Sequence, residues 1–130
     1  RPMHTLIPAM LLRDGLPWIV FGTMGGHGQP QIQLQLITNL IDFGLEPQAA
    51  IEAPRWLSRL EPGDEVETLY LEPGFDSAVG EELERRGHRV RWVERWDSLL
   101  GHAQMIRIDR ERGLLEGAAD PRAEGYALGW

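Results

Sequence analysis

The sequence has 130 residues, with no cysteine and no lysine, so its 13 basic residues are all arginine. Without cysteine the chain can form no disulfide, no thiolate metal site and no thiol nucleophile. Without lysine it cannot carry the P-loop signature, which places a lysine at the phosphates. Thiol, disulfide and P-loop chemistry are therefore excluded. The absence of cysteine does not decide the compartment, which stays open between the cytoplasm, which we favour, and export.

Long apolar runs and excess positive charge are also missing. No run approaches the roughly 18 apolar residues that a membrane-spanning helix needs. The 20 acidic residues outnumber the 13 basic ones, which gives a net charge of −7. Because nucleic-acid binding relies on a basic face, this balance argues against it. We expect neither a membrane nor a nucleic acid as a partner, and 42% apolar residues are ordinary for a globular domain.

The histidines and carboxylates show no spacing typical of a metal site. The four histidines are His4, His27, His88 and His102, and no two of them form an HxH or HxxxH pair. The glutamates at 81, 82 and 84 fall on one polar helix with arginines beside them. We therefore expect no metal.

Residue patterns predict a chain of mixed α and β structure. Apolar runs at 5–12 and 17–22 flank Asp14-Gly15, a pair typical of hairpin turns. Spacings of three and four apolar residues predict an amphipathic helix over 30–43, with polar residues such as Gln33 and Gln35 between the apolar ones. The remaining predicted segments are helices at 47–53 and 77–86, strands at 68–71, 90–93, 103–109 and 114–118, and a polar loop at 59–67.

The stretch GTMGGHGQPQ, residues 22–31, lies between the second predicted strand and the first helix. Glycine lets a ligand approach the backbone amides, and the start of a helix adds unpaired N–H donors. This combination suits a phosphate, a carboxylate or the oxyanion of an acyl-transfer intermediate. A turn that needs glycine for steric reasons alone fits the residues equally well, so local chemistry leaves both interpretations open.

Four longer stretches resemble the C-terminal part of the gamma-glutamyltranspeptidase family, whose members are N-terminal-nucleophile hydrolases that mature by cutting themselves. These stretches are RPMHTLIPAMLLRDGLPWIVFGTMGG, LITNLIDFGLEPQAAIEAPRW, GHAQMIRID and LLEGAADPR. The resemblance covers nearly the whole sequence and has the character of a divergent, cephalosporin-acylase-like branch. It implies an α+β fold, the C-terminal portion of an αββα sandwich with mostly antiparallel strands and two or three helices.

The resemblance also implies roles for single residues. Gly25 and Gly26 match the glycine pair whose N–H groups hold the oxyanion. His4 and Thr5 stand where the family has a serine pair that contacts the acyl group, and His27 and Gln29 are expected to border the acyl pocket. Because these positions depart from the family pattern, the acyl group could be gamma-glutamyl, glutaryl or a relative of these. The resemblance implies no metal and no organic cofactor.

The family's nucleophile is a threonine that matches a position upstream of residue 1. We therefore expect residues 1–130 to be a C-terminal fragment that is inert by itself and has the upstream segments of its precursor as partners. As part of the whole protein, it is expected to cleave or transfer an acyl group through an acyl-threonine intermediate. A non-catalytic family member that serves as a structural or binding module is the alternative, and a homo-oligomer is kept as a candidate assembly.

Overall fold

The computed structural model describes residues 5–129, which form seven strands and three α-helices. His4, a predicted acyl contact, lies outside the described residues. The strands are β1 (Ala9–Arg13), β2 (Leu16–Met24), β3 (Trp56–Arg59), β4 (Thr68–Leu71), β5 (Arg89–Trp92), β6 (His102–Asp109) and β7 (Leu114–Ala119). The helices are α1 (Gln29–Ile41), α2 (Pro47–Glu52) and α3 (Ser77–Arg85).

Strands β1, β2, β6 and β7 form an antiparallel sheet in that order. The predicted hairpin is confirmed, and its turn residues Asp14 and Gly15 have φ values of 54° and 77°. Positive φ at both central positions is the geometry that matches the twist of two paired strands. The first strand is shorter than predicted, since pairing begins at Ala9 rather than residue 5, one residue after Pro8. Proline lacks an N–H group, which disfavours it within a hydrogen-bonded strand.

Helices α1 and α2 cover one face of this sheet. The core beneath them includes Ile19, Phe21, Ile32, Leu36 and Met105, each at most 4% exposed. The opposite face stays open, with Met10, Ile106 and Leu115 between 45% and 70% exposed. The described residues therefore supply one sheet layer and one helical layer of the expected sandwich.

The second sheet has the order β3, β4, β5 and is not wholly antiparallel, because β4 and β5 run parallel. Helix α3 makes the crossover between them and begins at Asp76, whose side chain accepts a hydrogen bond from the N–H of Ala78 at 2.9 Å. Strand β3 was not predicted, because its residues WLSR are few and half polar, and the loop expected from residue 59 begins one residue later.

The helices otherwise follow the sequence prediction closely, apart from the polar face of α1. Gln29, Gln33 and Gln35 are at most 9% exposed, although amphipathic spacing normally leaves such residues in solvent. They are buried because other segments of the chain cover them. Across residues 5–129, none of the helices is long and apolar enough to cross a membrane.

Candidate functional site

The segment Gly25–Gly28, which we call the glycine turn, connects β2 to α1. Gly25 has a φ of 140° and Gly26 a φ of 54°, values that residues with a side chain rarely adopt. The N–H of Gly28 donates to the carbonyl of Gly25 at 2.9 Å and closes a single 3₁₀ turn. A side chain at position 28 would approach Leu57 to 2.7 Å, so the turn also packs tightly against β3.

The backbone N–H groups of Gly25 and Gly26 have no hydrogen-bond acceptor in this turn. Within residues 5–129, neither N–H donates to a backbone carbonyl. Gly26 is exposed, and nothing lies within 4 Å of the place where its side chain would be. Unpaired N–H groups in a turn of this kind can bind an anion, so the glycine turn is chemically able to stabilise one.

A cavity of about 620 Å³, which we call the site cavity, lies beside the glycine turn. It brings together four of the predicted site residues, namely Thr5, Gly25, Gly26 and Gln29. His27 is exposed and does not line it. The residues that complete its wall are Leu6, Gly22, Thr23, Met24, His102 and Gln104. None of these lining residues is an acid, an arginine or a lysine, so its described wall carries no fixed charge.

His102 and Gln104 had no predicted role, although they stand in the GHAQ stretch that helped to reveal the family resemblance. Antiparallel pairing with β2 brings them to the site, because His102 lies opposite Met24 and Gln104 opposite Gly22. The Nε2 atom of His102 is buried and has no hydrogen-bond partner among the described residues. Only the strand register, which a single sequence does not reveal, would have identified these two residues.

Gln29 lies in the wall of the site cavity, and its polar groups are occupied by contacts within the chain. It is 6% exposed, and its side-chain amide donates to the backbone carbonyl of Thr5 at 2.9 Å. Its own backbone N–H donates to the carbonyl of Gly26. Gln29 therefore connects two parts of the site cavity wall.

Four buried charged residues, Arg55, Glu72, Asp120 and Arg122, lie behind the site and are called the arginine cluster. Arg55 Nη1 lies 2.8 Å from Asp120 Oδ2, and Arg122 Nη1 lies 3.1 Å from Asp120 Oδ1. Arg122 also donates to both oxygens of Glu72, with Nε at 2.8 Å from Oε1. Two positive and two negative side chains leave the cluster with no net charge.

Burial and neighbouring charges change the pKa values of the two arginines in opposite directions. Burial lowers the pKa of Arg55, and the nearby positive charge of Arg122 lowers it further, against the attraction of Asp120. Burial also acts against the charge of Arg122, but its hydrogen bond to Glu72 and the two carboxylates outweigh burial and raise its pKa. Both groups stay charged, because arginine starts from a pKa far above neutrality.

The arginine cluster extends to the segment that backs the glycine turn. Arg55 Nη1 donates to the carbonyls of Leu100 and Gly101 at 3.0 and 3.4 Å, and Asp120 accepts from the N–H of Ala103 at 2.7 Å. Gly101 in turn lies 3.8 Å from the place where a side chain at Gly25 would be. The buried charges therefore hold residues 100–103, at the start of β6, and this segment supports the wall of the site cavity.

No group of three or more histidine, aspartate or glutamate side chains among residues 5–129 is arranged to hold a metal ion.

Solved structures place this arrangement in the class of N-terminal-nucleophile hydrolases. Cephalosporin acylase from Bacillus halodurans superimposes with a TM-score of 0.83 at 38% identity, over 98% of this chain and 23% of that one. The gamma-glutamyltranspeptidase family model matches residues 1–130. The chain belongs to the gamma-glutamyltranspeptidase family.

Two curated relatives show how much of a family member this chain represents. It is 45% identical over 129 residues to the glutathione hydrolase-like YwrD proenzyme of Bacillus subtilis, and 42% identical over 131 residues to the oxamate amidohydrolase proenzyme of Klebsiella pneumoniae. These matches cover 99% and 100% of this chain but only 24% of either relative. The chain therefore spans about a quarter of the length of these relatives.

Proposed function

We propose that this chain forms the oxyanion-stabilising part of an enzyme that hydrolyses or transfers an acyl group from an amide. The acyl group is gamma-glutamyl or a related one such as glutaryl. The remaining part of the precursor supplies the threonine nucleophile, and this chain supplies the glycine turn. The amides of Gly25 and Gly26, which have no backbone acceptor within residues 5–129 and lie on the wall of the site cavity, carry this proposal.

The chemistry of the step explains the need for these amides. When a threonine hydroxyl attacks an amide carbonyl, the carbonyl oxygen becomes an oxyanion in the tetrahedral intermediate. Preorganised N–H donors stabilise that oxygen more than they stabilise the ground-state carbonyl, and so lower the barrier. Collapse of the intermediate breaks the C–N bond, releases the amine and leaves an acyl-threonine ester. Water or a second amine then takes the acyl group.

The neutral wall of the site cavity indicates how the acyl group is recognised by this chain. Thr5 offers a hydroxyl, and Gln104 and His102 offer further polar groups, but the described wall supplies no cation for a carboxylate. We therefore propose that Thr5 contacts the acyl chain through a hydrogen bond. The charged groups that bind a carboxylate or an α-amine belong to the rest of the precursor. Among the relatives, the names glutathione hydrolase-like and oxamate amidohydrolase refer to different substrates.

The proposal is tested by Gly26→Val in the full-length protein. Valine disfavours a φ of 54°, so the turn is expected to reorient its amides and kcat to fall by about 100-fold or more, the effect of losing an oxyanion donor. Release of p-nitroaniline from gamma-glutamyl and glutaryl p-nitroanilides measures the rate, and comparing the two reports on recognition of the α-amine.

Gly113→Val is the matched control. Gly113 has a φ of 66° and open space around it, but it lies in the turn between β6 and β7, at the end of β6 away from His102. It should suffer similar backbone strain and keep its kcat. Intact mass reports whether each variant is cut into two chains. Equal kcat in wild type and Gly26→Val would remove the glycine turn from the mechanism, and an uncut, inactive wild type would favour a non-catalytic module.

A further inference from the structure

Helix α1 carries glutamine at four alternating positions, 29, 31, 33 and 35. Residues four apart share a helix face, so these positions form two pairs, Gln29 with Gln33 and Gln31 with Gln35. Three of the four are buried and Gln31 is half-buried. All four donate their side-chain amide to a backbone carbonyl elsewhere in the chain.

Gln31 and Gln35 bind the edge of strand β3. Gln31 donates to the carbonyl of Ser58 at 2.9 Å and accepts from its N–H at 2.8 Å. Gln35 makes the same two contacts with Trp56, both at 2.9 Å. Two amide side chains thus pair with alternate residues of β3 as a neighbouring strand would. This pair joins two scaffold elements and does not line the site cavity.

Gln29 and Gln33 bind the segment ahead of β1. Gln29 donates to the carbonyl of Thr5 at 2.9 Å, and Gln33 donates to the carbonyl of Ile7 at 2.5 Å. The side chain of Thr5 is exposed, so Gln29 holds its backbone while its hydroxyl has no hydrogen-bond partner among residues 5–129. The backbone of residues 7 and 8 also lies near Gly22, 4.0 Å from the place where a side chain there would be.

We propose that Gln29 is a positioning residue that sets the distance between Thr5 and the glycine turn. Its backbone N–H holds Gly26, and its side chain holds Thr5. One rigid residue at the first turn of α1 therefore fixes both the oxyanion donors and the acyl contact. This assignment rests on the proposed function and adds a positioning role to the expectation that Gln29 borders the acyl pocket.

The geometry of acyl transfer makes such a link useful. The acyl carbon must lie within reach of the oxyanion donors while its chain reaches Thr5. A misplacement of about 1 Å in a reactive arrangement can cost about 100-fold in rate. Without Gln29, Thr5 would lie on an exposed segment whose described side-chain support comes from Gln33 alone, two residues further along.

A double-mutant cycle in the full-length protein tests this role. Gln29→Met keeps the length of the side chain and removes the amide, and Thr5→Val removes the hydroxyl at nearly constant volume. We expect Gln29→Met to lower kcat/KM for the gamma-glutamyl anilide by about 10- to 100-fold. Because Gln29 acts through Thr5, the double variant should be no slower than Thr5→Val alone. Independent, additive losses would overturn the proposal.

Gln35→Met is the matched control, since it loses the same amide from the same helix but from the β3 side. We expect a fall in melting temperature at least as large as that of Gln29→Met, because Gln35 makes two hydrogen bonds to Trp56, but unchanged kcat/KM. If both variants lose activity equally, Gln29 has a purely structural role and the proposal is wrong.

Hydrogen exchange separates a failure of this inference from a failure of the proposed function. Loss of one hydrogen bond in Gln29→Met should speed amide exchange at the start of β1, residues 9–11, by about five- to tenfold, because these are the first amides after Thr5 that the sheet protects. Gln35→Met should instead speed exchange at Trp56, whose N–H loses its acceptor. If the wild type is inactive but the variants show this exchange pattern, the proposed enzymatic function is wrong and the positioning role of Gln29 stands. Unchanged exchange at residues 9–11 in an active enzyme would refute the positioning role of Gln29 alone.

Discussion

In the glycine turn, the backbone amides of Gly25 and Gly26 line the site cavity, and almost no side chain is present. In the arginine cluster, four charged side chains are buried and paired with one another, with the Nε of Arg55 left without a partner among the described residues. Both regions contain stretches that mark the family, GTMGG in the first and APR and ADPR in the second. The comparison teaches that residues typical of a family can serve chemistry in one place and support in another.

The two regions meet at Gly101. On one side its carbonyl accepts a hydrogen bond from Arg55 at 3.4 Å. On the other, an added side chain would lie 2.5 Å from the carbonyl oxygen of Met24, the residue before the glycine turn. The arginine cluster therefore supports the glycine turn through Gly101, where the packing leaves no room for a methyl group.

The largest effect is expected from Arg122→Met, which removes one of the two positive charges of the arginine cluster. The carboxylates of Glu72 and Asp120 then share the single remaining arginine, Arg55. Removing one partner from a buried ion pair costs about 3–5 kcal/mol of stability. Urea unfolding of the full-length protein measures this loss. Arg107→Met is the control, because Arg107 is 26% exposed and pairs with Glu46 and Glu116 at the surface. Its loss should cost about 1 kcal/mol or less, and equal costs at both sites would contradict the comparison.

A smaller effect is expected from Gly101→Ala, which tests the place where the two regions meet. The new methyl group would overlap the Met24 carbonyl, and alanine also disfavours the φ of 79° found here. Strained backbone of this kind costs about 1–3 kcal/mol. Because Met24 precedes Gly25, we expect kcat to fall as well as the melting temperature. Gly63→Ala has a φ of 91° in open space, and it should lower stability alone.

The smallest effect is expected from Tyr70→Phe in the second sheet, where a polar contact reaches towards solvent. The Tyr70 hydroxyl donates to Glu61 at 2.6 Å, and this hydrogen bond raises the pKa of Tyr70 above its ordinary value of 10.0. A folded pKa above the unfolded one gives stability that is complete below pH 10 and is lost as pH rises through the folded pKa. Loss of the hydrogen bond should cost about 1 kcal/mol at neutral pH.

Melting temperatures from pH 8 to pH 11.5 check this sign. Tyr70→Phe should start lower than wild type and converge with it above pH 10. Parallel curves would show that the hydrogen bond to Glu61 does not raise the pKa of Tyr70 in the folded protein.

Local patterns were sufficient for the first hairpin, α2, α3 and most of α1, because turn residues and apolar spacing act over a few neighbours. They were insufficient for β3, whose four residues depend on the glutamines of α1 for one edge. The glycine pair was found from sequence because its conformational freedom is a property of the residue itself. The contact of Gln29 with Thr5 and the position of His102 were not predicted, because both depend on which distant segments the fold brings together.

The arginine cluster shows the same limit. Arg55, Asp120 and Arg122 lie in recognisable stretches, but Glu72 lies in no stretch that we had singled out. It joins the cluster only through the crossing of distant segments, 17 residues from Arg55 and 50 from Arg122. Charge patterns along the chain therefore gave no warning that these four residues are buried together.

The alternating glutamines of α1 restrict where residues can be inserted or deleted. A one-residue insertion between positions 29 and 35 would rotate the following side chains by about 100°. The two pairs would then lose their common faces, and β3 and the segment at Thr5 would be released together. We expect alignments of natural variants to tolerate length changes in the loops around this helix and to forbid them within these seven positions, whichever residues fill the apolar face.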